Sequence, residues 1–512
     1  MSDTTPTRGA VARAVSWMGV GYGVSQGLFL GSLLLLAALL PPRDFGSVAT
    51  GMVLVNLAGL LVDAGTRGSI VAAPTLTRSD IRGALTLNLV VGAAATAAIA
   101  ALAGPIVSAF AQGGDADVIS ALSLGVLLYA AGITPLALLQ KRLEFKRFAT
   151  ANVVSAGVSA MAGIGAVLLG AGVWSLVIRQ LVSMGLLSLC AWWLARDLLP
   201  EETATAERPV AESQAPAGQT PGPVAARGPA ARRWVSLRQP GWTGFVALAL
   251  TDFVALNADF LVVGNLTEAT GLGLYSLAFT LAFAPLTQVS WQVGRVLFPA
   301  AAATTDPETV GRRTLVSLRM LALLLLPVAV PVVVLAPTVL PGLFGPEWRP
   351  MVAPFQILLV VGVGHALVGM IGESLSGTGH IGWRARVNLV WAVGMVGALV
   401  LLVSEDGIRG AAWAHALLFV PFAVAYATVG ARRLGVSAGR VAAAVAPVLG
   451  PVAVQALVTF GLALGLETAG IADGWAGLGG AVAGLVVVAV LLRRGPLREA
   501  GAVLADARSG GP

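Results

Sequence analysis

The sequence predicts an all-α polytopic membrane protein with about fourteen transmembrane helices. Three observations predict it. First, 57% of the 512 residues are hydrophobic and only 11% are charged, whereas soluble domains carry roughly 25% charged residues. Soluble domains of this composition would lack polar residues to cover their surfaces. That excludes a cytosolic enzyme, a nucleic-acid-binding protein and a disordered scaffold. Second, apolar runs of the ~20 residues that cross a bilayer recur along the chain. They are continuous rather than alternating, which specifies helices and not a barrel. Third, basic residues crowd into every second loop.

The spans follow in order. Met1 to Val11 is polar, and the first apolar run, 14–40, is too long for a cleavable signal peptide, so it reads as the first span. The others are 45–63, 83–111, 117–139, 148–170, 173–195, 241–264, 272–302, 314–342, 350–373, 386–404, 408–430, 441–466 and 470–492. With a cytoplasmic N-terminus, 27 of the 32 Lys and Arg residues fall on inside segments, and the outside loops keep Arg43, Arg349 and Arg409. The positive-inside rule then places both termini in the cytoplasm. The net charge of +7 reports topology, and no nucleic-acid partner is needed. Trp17, Trp192, Trp193, Trp242 and Trp383 inside, and Trp174, Trp348, Trp413 and Trp475 outside, read as an aromatic belt.

The stretch from Pro200 to Arg233 has six prolines and no apolar run, which marks a disordered linker. The expected organisation is an N-terminal six-helix lobe (1–196), a cytoplasmic linker (197–240), a C-terminal six-helix lobe (241–430), and two further helices with a tail (431–512). The halves resemble each other weakly. Asn152 matches Asn388, the turn at Gly172 matches that at Gly407, and Phe45-Gly46 matches Leu272-Gly273. Two-lobe parallel repeats belong to transporters that bind substrate between the lobes.

Much chemistry is missing. The two lysines lie in no Gly-rich phosphate loop, and His365, His380 and His415 form no zinc motif. Cys190 is the single cysteine, so no intrachain disulfide can form. No metal site or cofactor is expected. The outside loops are too short to fold into a catalytic domain, so the chain is expected not to be an enzyme, and the helices themselves must carry function.

Ionisable residues within spans are costly, about 2.5–3.5 kcal/mol at a helix centre on insertion scales, and point to cavities. Asp252 and Asp259 lie two turns apart on the seventh span, with Asn257 between them; Arg295 is on the eighth, Arg179 on the sixth and His365 on the tenth. Depth pairs Asp252 with Arg295 and Asp259 with Arg179. Three readings stay open: an Asp259–Arg179 pair that bridges the lobes and helps close an outer gate, static pairs that orient helices, or a cationic substrate cavity in which the arginines meet phosphate. His365 reads as a satisfied buried histidine or a proton relay. Gly19, Gly23, Gly27 and Gly31 form a small-residue face suited to tight packing. Pro135, Pro285, Pro327, Pro331 and Pro421 lie inside spans and are candidate kinks.

Several segments together resemble the Wzx-type polysaccharide flippases of the MOP superfamily, relatives of MATE exporters and lipid II flippases. They are Asp44-Phe45-Gly46, Leu61-Val62-Asp63-Ala64-Gly65, Leu139 to Lys146, Asn257-Ala258-Asp259, Leu272 to Ser276, Val296 to Pro299, and Leu343 to Trp348. The resemblance spans about residues 8–430. It implies a V-shaped pair of lobes in the bacterial cytoplasmic membrane. It implies alternating access that moves an undecaprenyl-diphosphate-linked oligosaccharide outward, with H+ or Na+ as candidate coupling ions. Candidate partners are the lipid-linked glycan, the bilayer, a glycan polymerase and other assembly proteins. Asp63 and Asp259 match recurring acids of the family. The alternatives are a lipid II flippase, a cation-coupled small-molecule exporter, and a membrane glycan polymerase or ligase.

Overall fold

The computed structural model describes residues 8–63, 66–73, 76–110, 114–142, 144–199, 253–254, 257–302, 306–468 and 473–494. The described residues are helical, joined by short turns. The helices are α1 (Arg8–Ala37), α2 (Pro42–Asp63), α3 (Thr66–Ala72), α4 (Arg78–Phe110), α5 (Ala116–Lys141), α6 (Phe145–Leu168) and α7 (Trp174–Ala195). Then come α8 (257–266), α9 (Ala269–Ala302), α10 (Pro307–Phe344) and α11 (Val352–Gly377). The stretch Ile381–Ala425 is broken at Asp406 and Gly407 into α12 (381–405) and α13 (408–425), and α14 (Ala438–Thr468) and α15 (Asp473–Arg494) close the chain.

Ten stretches among the described residues are long and apolar enough to cross a membrane. Their outward faces carry bare aliphatic side chains such as Leu168, Val390 and Leu457, each more than 70% exposed. Water would not tolerate that; lipid does. This is a multi-pass membrane protein. The expected count of fourteen is not established by these ten. The seventh span lies largely outside the described residues, the apolar parts of α9 and α15 are short, and α12 and α13 form one continuous stretch. That last stretch doubles back. Gly407 sits at φ +54°, the same value as Gly172 in the matching turn before α7. Beyond the turn, Tyr426 donates to Asn388 at 3.0 Å, so the two helices run antiparallel.

Two compact units share the chain. One comprises residues 1–36, 51–106 and 115–249, and the other residues 37–50, 107–114 and 250–512. Helix α2 therefore gives its first half to the second unit and its second half to the first. The linker 197–240 falls almost wholly outside the described residues. In the first unit α5 is the buried centre and packs on α7. In the second, α11 is the most enclosed. Helices α14 and α15 are built into this second unit: Val448, Val452, Val488 and Leu492 share a buried cluster with Ala322 of α10.

Between lipid-immersed helices the hydrophobic effect drives little, so close packing and polar contacts must hold the fold. The prolines show how. A helix proline leaves the carbonyl four residues earlier without its donor. Pro135 frees the Ala131 carbonyl, and the Trp192 indole N–H of α7 donates to it at 2.9 Å. Pro331 frees the Pro327 carbonyl, and Gln455 of α14 donates to it at 2.8 Å. Pro337 frees the Val333 carbonyl, and Gln356 of α11 donates to it at 2.7 Å. Three breaks in helix bonding thus become three interhelical ties.

Two expectations need correcting. Trp348 is fully buried rather than at a membrane interface, because it packs edge-on against Phe45 and Phe344. Trp192 serves α5 as well as any interface. The glycine face of α1 is not tightly packed: a Cβ at Gly19, Gly23, Gly27 or Gly31 would meet nothing within 4 Å.

Replacing Gln455 or Gln356 with Leu keeps the bulk but strands a carbonyl. Each change should cost about 1–3 kcal/mol, read as a lower melting temperature of the detergent-purified protein. Unchanged melting of both variants would show that the proline sites need no partner.

Candidate functional site

The second unit gathers several of the segments singled out in the sequence. Residues 44–46 open α2, and residues 272–276 open α9 one turn after its start at Ala269. Gly46 and Gly273 meet backbone to backbone. A side chain on Gly46 would overlap the Ala269 carbonyl, and one on Gly273 would overlap the Pro42 carbonyl. The contact is reciprocal: each glycine's missing Cβ makes room for the other helix's oxygen. Only glycine permits this approach. Phe45, next to the contact, stacks edge-on against Trp348 at 5.3 Å with an interplanar angle of 84°. Trp348 sits on the short turn Pro346–Met351 between α10 and α11, and Phe344 closes on its other side at 5.8 Å. Gly345 makes the turn at φ +106°.

Two residues along α9 from Gly273, Tyr275 points into the unit. Its hydroxyl donates to the Asp259 Oδ2 at 2.8 Å. His415 Nε2 of α13 lies 3.3 Å from the same oxygen. All three are nearly sealed from outside: Tyr275 is 0% exposed, Asp259 1% and His415 2%. Asp259 Oδ1 accepts the Phe260 backbone N–H at 2.9 Å. A carboxylate enclosed in apolar surroundings needs such donors. The His415 Nδ1 has no hydrogen-bond partner. From here an aromatic file runs through Phe279, Phe283 and Trp391 to His365, which is ringed by Phe419 at 5.0 Å and Phe422 at 5.2 Å. The His365 Nε2 also lacks a hydrogen-bond partner.

The remaining candidates divide. Asn257 donates back to the Phe253 carbonyl of its own helix at 2.9 Å. Asp63 accepts the Arg67 amide at 3.3 Å and pairs with its guanidinium at 3.6 Å, so it caps the start of α3. Arg179, in the first unit, is 9% exposed, and its guanidinium lies 4.8 Å over the Phe29 ring. Gly163 of α6 leaves room for its aliphatic stem, and its Nε has no hydrogen-bond partner. Asp252 lies outside the described residues; Arg295 is on α9, its side chain outside them. The described partners of Asp259 are Tyr275 and His415, whereas depth alone pointed to Arg179. Neither partner stood out in the sequence, because a tyrosine and a histidine in apolar runs read as ordinary core. Among the described residues no group of three or more His, Cys, Asp or Glu could hold a metal ion.

Comparison with known proteins adds the following. The pattern of the family described as polysaccharide biosynthesis protein matches residues 35–204 and 239–353. The lipopolysaccharide biosynthesis protein WzxC of Escherichia coli (strain K12) is 23% identical over 390 residues, covering 75% of this chain and 73% of that protein. The succinoglycan biosynthesis transport protein ExoT of Rhizobium meliloti (strain 1021) is 23% identical over 67% of this chain and 65% of its own length. The fold is like that of the lipid II flippase MurJ in an inward closed conformation, with a TM-score of 0.68 at 10% identity, over 93% of this chain and 97% of that one.

Asp259→Leu leaves the Tyr275 hydroxyl and His415 without their acceptor, while Asp259→Asn keeps an oxygen for the tyrosine. The Leu variant should lose about 1–3 kcal/mol per stranded group, and Asn less, in thermal unfolding followed by tryptophan fluorescence. Equal stability of both variants and wild type would show that the cluster holds nothing together.

Proposed function

Because this chain belongs to the polysaccharide biosynthesis protein family, we propose that it is a flippase for a polysaccharide repeat unit and makes no covalent change to its cargo. The cargo is an undecaprenyl-diphosphate-linked oligosaccharide, moved from the inner to the outer leaflet of the bacterial cytoplasmic membrane, with both termini of the chain in the cytoplasm. The observation that carries this reading is the family match. The relatives named for lipopolysaccharide biosynthesis and succinoglycan transport support it, since they align over about three quarters and two thirds of the chain.

The physical roles follow. Translocation by alternating access needs one end that closes and reopens. The Gly46–Gly273 contact suits that duty. It is backbone-to-backbone, and the positive-inside rule puts it at the outer face. The buried cation Arg179, whose Nε lacks a protein acceptor, suits a diphosphate, and Arg295 on α9 is the second candidate contact. Asp259 with His415 is the candidate coupling element. Adding a proton there changes the charge of a sealed pair.

Deletion of the gene followed by mass spectrometry of lipid-linked glycans tests the reading. An intact repeat unit on its polyprenyl diphosphate should accumulate on the cytoplasmic leaflet. Arrival of the precursor at the outer leaflet with only polymer missing would overturn the flippase and favour a polymerase. No change in any such lipid would favour a small-molecule exporter. In complementation, Arg179→Gln should reduce export ~10-fold or more, as loss of one charge-assisted contact of ~1.5–3 kcal/mol implies. Full export by that variant would remove Arg179 from the cargo path.

A further inference from the structure

Away from the Asp259 cluster, the second unit has a cavity of about 280 Å³ between α10 and α14, lined by Arg312, Arg319 and Arg440 with Leu315, Val316 and Met320. Arg312 and Arg319 are seven residues apart, so they share one face of α10 about 10 Å apart along its axis. Arg440 stands in the first turn of α14, and Ala443 and Ala444 on the same face complete the wall with little bulk. No carboxylate lines the cavity. Of the two acids that precede it, Glu308 stands one turn before Arg312, and Asp306 is engaged as the N-cap of α10. It accepts the Thr309 amide at 3.0 Å and the Glu308 amide at 3.2 Å. Its carboxyl is held below the ordinary range, first by the Thr309 hydroxyl bond and last by the Arg312 charge. The floor is solid: Val310, Leu434 and Val436 are buried on one side, and Ala322 and Val448 on the other.

Three guanidinium groups over an apolar-walled cleft, at the shared end of two membrane-crossing helices, make a specific chemical demand. The charged rim asks for a phosphate, and the aliphatic walls ask for a hydrocarbon chain. A soluble phosphate would leave the walls unused, and a neutral lipid would leave the rim unused. We propose that this cavity is a binding site for a phosphate-bearing lipid, with Arg312 and Arg440 holding the phosphate from the membrane surface and Arg319 meeting it from below. The site stands on its own residues and does not depend on the flippase reading. Its lipid is either a bulk anionic phospholipid or the polyprenyl carrier, which share that chemistry.

Native mass spectrometry of the full-length protein, delipidated and then supplied with phosphatidylglycerol or phosphatidylcholine, tests the site. Wild type should retain phosphatidylglycerol in preference to phosphatidylcholine. Arg312→Gln with Arg440→Gln, both on exposed positions, should weaken that retention ~25-fold, about fivefold per surface arginine. Arg386→Gln with Arg432→Gln, the same loss of charge outside the cavity, should leave it unchanged. Equal retention of the two lipids by wild type, or equal weakening in both double variants, would overturn the proposal in favour of diffuse surface charge. Added undecaprenyl phosphate then separates the sources. Displacement of phosphatidylglycerol assigns the cavity to the polyprenyl carrier, and its persistence assigns it to bulk phospholipid.

Discussion

Two helix starts touch with no side chain between them, and much of the second unit is arranged around that contact. Gly46 and Gly273 let α2 and α9 approach until each meets the other's carbonyl. The approach brings Phe45 onto Trp348, which ties in the turn between α10 and α11. It also sets the register of α9, and with it Tyr275, whose hydroxyl holds Asp259 against His415. A Cβ at either glycine would wedge these elements apart. Such an approach of two backbones is held by close packing, which glycine alone permits here.

A second constraint is the accounting of backbone hydrogen bonds. In lipid no water replaces a missing donor, so every helix proline creates a debt that the protein must settle internally. Trp192, Gln356 and Gln455 settle it at three prolines, and each does so from a different helix. The helices are thereby fastened at the residues where their own bonding is interrupted. This explains why polar uncharged side chains sit in otherwise apolar spans, and why the last two helices are structural parts of the second unit.

The spans were legible because a bilayer imposes length and hydropathy directly. The expected runs 117–139, 148–170 and 173–195 fall within a few residues of α5, α6 and α7. The matched turns at Gly172 and Gly407 share one φ. The site was legible only in part. Asp259 was visible as a costly charge, but its partners were not: sequence gives the depth of a residue, while the neighbouring helix face depends on rotation and packing. Gln356 and Gln455 carried a usable signal, an amide in a lipid-crossing run near prolines on another helix. Trp348 misled because the same indole suits an interface and a buried aromatic corner. The glycine face of α1 misled because small residues permit contact without requiring it.

The central proposal is that the Gly46–Gly273 contact parts and re-forms in a transport cycle. Electron–electron distance measurement between spin labels at R43C and T270C, in a C190S background in lipid nanodiscs, tests it most directly. The account predicts a short population from the closed contact alongside a longer one. It predicts that Gly273→Leu abolishes the short population together with glycan export. A short population that survives Gly273→Leu, or normal export without it, would contradict the account.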